Sequence, residues 1–293
     1  MESVAKVALI RRLSTEIHRW LSASTAADLA GPSACPGWDV GTVAAHLTGG
    51  AMRQCDSMRR GRDGQGGPPE GVSGITTPDE IQQRNALSNR QFRDELGETL
   101  LDRFRDEYAT LNDLLQGWTD WSIGCWHHRR GTISADGYLD LRIQELVIHD
   151  WDMRSGGTGQ AALDADGVIA LLPGSEMWYQ LCFRPTAPLS QPVVYRFNVA
   201  GATEGGGLRH DVVVRGDEFT VTPPSDAQAA DLTLSCKAET YLLCLYGRVE
   251  WMAAQQDGRL IVSSEAHQPP RSETEETFHN NSLRRFHEWF GGL

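Results

Sequence analysis

The chain has 293 residues, 40% hydrophobic and 23% charged, the make-up of an ordinary globular protein long enough for two domains. Its formal net charge of −12 argues against nucleic acid and anionic membrane surfaces as partners, because phosphate binding needs a basic face. No run reaches the roughly 18 apolar residues of a membrane span, and Met1-Glu2-Ser3-Val4-Ala5-Lys6 lacks the apolar core of a signal peptide.

A first helix is predicted over about 3–24, where Val7, Ile10, Leu13, Ile17, Trp20 and Leu21 recur at three- and four-residue steps. A turn at Gly31–Gly37 follows. A second helix starts at Trp38-Asp39 with Asp39 as N-cap, and its apolar stripe is Val40, Val43, Ala44 and Leu47. His46 lies at the edge of that stripe. Gly49 and Gly50 leave room for a neighbouring helix or a ligand. Residues 61–76 are rich in Gly and Pro and read as a long loop, mobile or acting as a lid. Thr77-Pro78-Asp79-Glu80 is a capping box that opens the next helix, with a break at Gly97 and a continuation to Leu115.

Three tryptophans, Trp118, Trp121 and Trp126, then precede His127, His128, Arg129 and Arg130. Such a cluster is core or a pocket wall. The two adjacent histidines are alternates for a ligand contact, since neighbours in regular structure point apart.

A long helix is predicted over about 135–154, ended by Gly156-Gly157. It carries Gln144-Glu145-Leu146-Val147-Ile148-His149-Asp150-Trp151-Asp152. Glu145 and His149 are four residues apart, which on a helix puts both on one face about 5–6 Å apart. Most such pairs are surface hydrogen bonds. Here Leu146, Val147 and Ile148 make the helix apolar, and a Glu and a His in a core need partners. A divalent metal would satisfy both, with His46 as the best third ligand. Arg142, three residues before Glu145, is expected to salt-bridge it or to reach an anionic substrate. Asp150 and Asp152 are placed to orient ligands from behind.

Beyond residue 160 a helix is predicted at 164–182. Strand-like runs follow at 193–199, 211–214, 218–221, 231–236 and 260–262, with helices at 238–247 and 281–290 and a glycine turn at Gly205-Gly206-Gly207. The expected fold is an N-terminal four-helix bundle, residues 1–160, followed by a small α+β domain, residues 161–293. The cysteines Cys35, Cys55, Cys125, Cys182, Cys236 and Cys244 contain no C-x-x-C pair and read as reduced thiols in a cytoplasmic protein. Only Lys6 and Lys237 are lysines against 27 basic residues, an arginine bias that points to GC-rich bacterial coding.

With His on the second helix and E-x-x-x-H on the last, the bundle resembles the DinB-like metal-binding fold. More closely the chain resembles the mycothiol-dependent maleylpyruvate isomerase family. The residues that carry the likeness are Pro36-Gly37-Trp38, Ala45-His46-Leu47 and Glu145 to Asp152. Weaker matches to a sterol-carrier-like C-terminal domain are Ala229-Ala230-Asp231-Leu232, Leu245-Tyr246-Gly247-Arg248 and Asp257-Gly258-Arg259-Leu260.

The resemblance implies that His46, Glu145 and His149 hold a metal, usually zinc. It also implies mycothiol, the low-molecular-weight thiol of actinobacteria, as cosubstrate, with Arg248 and Arg142 as catalytic candidates. A zinc-bound thiol is deprotonated at neutral pH, so no protein cysteine is needed as nucleophile. The thiolate is expected either to transfer to an electrophile, the first choice on sequence, or to catalyse cis–trans isomerisation of an unsaturated acid. An iron oxygenase and a non-catalytic binder of metal or a small ligand are the competing classes. The expected partners are a small thiol and a small electrophile. Oligomeric state is left open.

Overall fold

The computed structural model describes residues 1–71, 78–156, 160–201, 206–225, 229–264 and 274–292, with side chains of 78–86 and of residue 275 excluded. The chain forms two compact units, Met1–Leu171 and Leu172–Leu293.

The first unit contains α1 (Ser3–Ala23), α2 (Ala26–Leu29), α3 (Val40–Arg62), α4 (Pro78–Leu96) and α5 (Leu100–Gln116). A hairpin of β1 (Gly124–His127) and β2 (Gly131–Ser134) leads into α6 (Ala135–Ser155) and α7 (Ala165–Leu171). α1 and α3 each pack on both α5 and α6, so these four make the bundle, and α4 lies against α3. The apolar stripe of α1 is buried through Leu9, Ile10, Leu13, Ile17 and Leu21. Phe104, Tyr108, Leu111 and Leu115 do the same from α5. Gly97 takes φ +49° where the α4–α5 run breaks.

Several expectations change. α3 continues through Arg62, into the stretch read as loop. Residues 72–77, including the Thr77 cap and the end of the stretch read as a lid, lie outside the described residues, as do Gly205 and Gly157. The expected helix over 164–182 is two short helices parted by a 3-10 turn at Leu172–Gly174, because Pro173 cannot continue a helix. The β1–β2 hairpin, too short for a periodic signal, joins the tryptophan cluster to α6.

The second unit holds α8 (Glu176–Cys182), β3 (Val193–Ala200), β4 (Leu208–Val214), β5 (Phe219–Thr222), β6 (Leu232–Lys237), α9 (Ala238–Leu245), α10 (Trp251–Gln256), β7 (Leu260–Ser263) and α11 (Glu275–Phe290). Its five-stranded sheet has the order β5-β4-β3-β6-β7. The central β3–β6 pair is parallel and the other pairs are antiparallel. Tyr179, Tyr195, Phe197, Tyr241, Trp251 and Phe286 are fully buried and form an aromatic core.

Candidate metal centre

Two helices build the centre. α3 begins at Asp39, which accepts from the Thr42 amide at 2.7 Å and is gripped by Arg93 Nη2 at 3.0 Å. His46 follows two turns later. α6 is capped by Ser134, which accepts from the Gly137 amide, and ends at Gly156 in the left-handed conformation. α6 buries Leu139, Ile143, Leu146, Val147, Trp151 and Met153, so it is packed on nearly every side. Polar residues on such a helix must find partners within the protein or in a ligand.

They converge. His46 Nε2 lies 2.8 Å from Glu145 Oε2, and His149 Nε2 lies 3.4 Å from the same oxygen. The donor atoms of the three residues all fall within 4.8 Å of one another. The imidazole side chains are 12% and 11% exposed and the Glu145 side chain 29% exposed, so the cluster is recessed but open to solvent. The Trp38 indole covers both imidazoles, with ring centroids 5.3 Å from His46 and 6.5 Å from His149.

Each histidine is held from behind. His149 Nδ1 donates to Asp152 Oδ2 at 2.8 Å, which makes Nε2 the nitrogen that faces Glu145 and His46. Asp152 is fully buried and also accepts from the Cys35 thiol at 3.0 Å. The Cys35 loop is pinned by the Ala34 amide donating to the Asp152 carbonyl at 2.9 Å. His46 Nδ1 faces the Asn89 side-chain amide at 3.1 Å. An amide can present either its oxygen or its nitrogen, so Asn89 can support either tautomer of His46.

The electrostatics follow the geometry. Burial pushes the His46 pKa down, against the pull of Glu145. Burial opposes ionisation of Glu145, yet the charge of His46 and the hydrogen bonds from both histidines hold its carboxyl well below the usual range. Burial likewise opposes charge on His149, but hydrogen bonds to Asp152, Cys35 and Glu145 raise its pKa well above that of a free imidazole.

The donor set suits a metal. Two imidazole nitrogens and one carboxylate oxygen, with a solvent-facing side, are the ligands of a site that keeps a position open. The carboxylate behind His149 is the usual outer partner of a metal-bound histidine. Cys35, His149 and Asp152 form a second convergent set, but on the opposite ring nitrogen. Their contacts of 2.8 and 3.0 Å are hydrogen bonds that orient His149 toward the first set.

Other candidates land elsewhere. Arg142 does not salt-bridge Glu145. Its side chain is buried, with Nε donating to Gln54 Oε1 at 2.8 Å and Nη1 to the Tyr108 hydroxyl at 3.4 Å. Asp150 pairs with Arg154 at 2.8 Å. Arg248 belongs to the second unit, in the turn after α9, and its Nη1 donates to the Tyr246 carbonyl at 2.8 Å. The His127 and His128 rings lie 4.6 Å apart where the hairpin turn begins, closer than neighbours in regular structure. Neither is in the His46 cluster. Burial pushes His127 down to about 2. None of the six cysteines is in a disulfide. No described helix is long and apolar enough to cross a membrane.

Among curated proteins none matches the chain in sequence. In fold, a crystal structure of the mycothiol-dependent maleylpyruvate isomerase matches over 92% of this chain and 97% of that one, at 17% identity and TM-score 0.57. A variant of that isomerase, with a histidine changed to alanine, matches over the same shares at TM-score 0.58 and 17% identity. A sterol carrier protein 2 like 2 from Aedes aegypti matches 41% of this chain and 93% of that one, at 13% identity and TM-score 0.27. Residues 10–154, which span the whole His46–Glu145–His149 cluster, match the model of the mycothiol maleylpyruvate isomerase N-terminal domain, and this segment of the chain belongs to that domain family.

Proposed function

We propose that this protein is a metal-dependent enzyme that uses a mycothiol-type thiol to isomerise a small unsaturated acid. The observation that carries the reading is the convergence of His46 Nε2, Glu145 Oε2 and His149 Nε2 at one solvent-facing point. Zinc bound there would hold a thiol as its thiolate, the form that adds to an electrophilic double bond. The protein residues supply the rest. Asp152 keeps the Nδ1 proton of His149 and so fixes which nitrogen faces the open side. Trp38 shields the imidazoles from bulk water on one flank. The buried cysteine thiols leave the nucleophile to the cosubstrate: burial pushes Cys55 and Cys125 each up to about 11. Membership of residues 10–154 in the mycothiol maleylpyruvate isomerase N-terminal domain family favours isomerisation over thiol transfer. Arg248 is proposed as a catalytic residue on its motif position alone. Arg248→Ala is expected to lower turnover with metal content unchanged.

The test begins with elemental analysis of the purified chain. Calorimetric titration of mycothiol follows, into the zinc-loaded protein and into His46→Ala. Thiol binding that needs zinc and is lost in the variant supports the reading. Zinc retained by His46→Ala, or zinc without thiol affinity, overturns it. Product analysis with maleylpyruvate then separates an isomer from a thiol adduct.

A further inference from the structure

Both helices carry an arginine on the face of the cluster residues, two turns after His46 on α3 and one turn before Glu145 on α6. On α3, Arg53 is seven residues after His46; on α6, Arg142 is three before Glu145 and seven before His149. Spacings of three, four and seven residues keep side chains on one helical face. The Arg53 guanidinium lies against Gly49 and that of Arg142 against Gly50, near enough for the charge of one to act on the other. A methyl group on Gly49 would lie 3.1 Å from Arg53 Nη1, and one on Gly50 would lie 2.8 Å from Arg142 Nη1. The glycine pair makes room for two cations.

No described carboxylate closes an ion pair with either guanidinium, although the charge of Glu145 acts on both. Arg142 is 4% exposed, and its hydrogen-bond acceptors are neutral, Gln54 and Tyr108. Neither guanidinium has a described carboxylate within 4 Å, and Glu145 turns its Oε2 to the two histidines. Arg53 as a residue is exposed, yet desolvation of its head and then the charge of Arg142 push its pKa down. A metal on the neighbouring triad would add further positive charge. Buried charges in proteins are paired, and two like charges side by side call for a counter-ion. Planar guanidiniums present paired N–H donors that match a carboxylate.

We infer that Arg53 and Arg142 form a receptor for a carboxylate group of the second substrate, on the helix faces that carry His46, Glu145 and His149. The inference rests on the proposed function for the identity of its ligand as substrate. The pair explains why a guanidinium side chain is buried beside the triad without an ion pair. It also sets a specificity rule: an acid whose carboxylate sits on these arginines has its carbon skeleton directed toward the metal side, whereas a neutral analogue has no anchor.

The test uses the full-length chain, zinc-loaded and zinc-free, titrated calorimetrically with succinate and with its neutral diamide. The wild type is expected to bind succinate and to ignore the diamide. Arg53→Gln, at an exposed position, is expected to weaken succinate binding by about 10–100-fold, the worth of a charge-assisted hydrogen bond, with zinc content unchanged. Arg53→Lys should recover part of the loss, and Arg142→Met should reproduce the Gln effect if it folds. Wild-type protein that does not bind succinate at millimolar concentration, or Arg53→Gln binding it as well as wild type, overturns the inference. Loss of zinc binding with succinate binding retained would sink the metal reading and leave the arginine pair standing.

Discussion

Both units bury charge, but they handle it in opposite ways. In the second unit Arg196 and Asp211 sit directly opposite on β3 and β4 and close a two-point ion pair at 2.8 Å and 2.8 Å. Both residues are buried, and Arg196 Nη2 also donates to the Ser225 carbonyl. Beside them Ser175, Tyr241, Tyr179 and His210 form a buried polar chain with contacts of 3.3, 3.0 and 3.3 Å. Apart from His210 Nδ1, these groups satisfy one another. In the first unit the side chains of His46, Glu145 and His149 are also recessed, yet their donor and acceptor atoms converge on shared, partly open space. A closed ion pair is a structural solution. A convergent set on partly open space is a site prepared for something that arrives.

Four experiments would break or sharpen this contrast. The largest effect is expected for His149→Ala. It should abolish zinc binding and lower turnover by more than about 10³-fold, since a metal supplies several kcal/mol of charge stabilisation. Without metal it should also unfold more easily than wild type, because fully buried Asp152 loses the hydrogen bond from His149. Next, Arg196→Met strands Asp211 in the second unit and should lower stability by about 3–5 kcal/mol in denaturant unfolding. Pairing it with Asp211→Leu should restore most of that loss, and zinc content should not move in either variant.

The third concerns His210. Burial pushes its pKa down to about 4, and its Nδ1 has no hydrogen-bond partner. Between the unfolded value of about 6.5 and 4 the unfolded chain binds the proton and the folded chain does not. Stability is therefore full above pH 6.5 and falls as pH drops toward 4, by about 3 kcal/mol. His210→Phe should remove that part of the acid sensitivity, seen by comparing denaturant midpoints across the pH series. The smallest effect is expected for Asp152→Asn, which keeps the shape but loses the carboxylate behind His149. Zinc affinity should fall by about 10–100-fold, measured by competition with a chelator. An unchanged affinity would mean that the hydrogen bond to His149 does not tune the metal.

The triad was legible because helical spacing alone puts Glu145 and His149 together, and an apolar surround demands that they be partnered. His46 needed the second helix to be recognised, and Asp39 and the Val40–Leu47 stripe marked it. Asp150 and Asp152 were both read as acids that orient the ligands from behind, and only the rotamers show that Asp152 grips His149 while Asp150 pairs with Arg154. Cys35 read as incidental burial, since nothing local says that its loop returns to α6. Arg53 was invisible. It is one of several arginines on α3, and only the cross-helix packing over Gly49-Gly50 distinguishes it from Arg59, Arg60 and Arg62. Arg142 was singled out but given the wrong partner, because i,i+3 spacing permits a salt bridge without compelling one. Short elements were lost for a related reason. α2, α10 and the β1–β2 hairpin are each shorter than the window in which periodicity declares itself.

The ligands come from far apart in the chain: His46 and Glu145 are separated by 99 positions. A metal shared between them would act as a removable cross-link, closing a loop of that length in whatever state retains it. On the entropy scale for chemical cross-links a loop of about 100 residues is worth roughly 4–5 kcal/mol. The ion would then govern the lifetime of the bundle as well as its chemistry. In cells starved of metal, α3 and α6 would lose their shared rivet, and quality-control proteases would meet a looser chain.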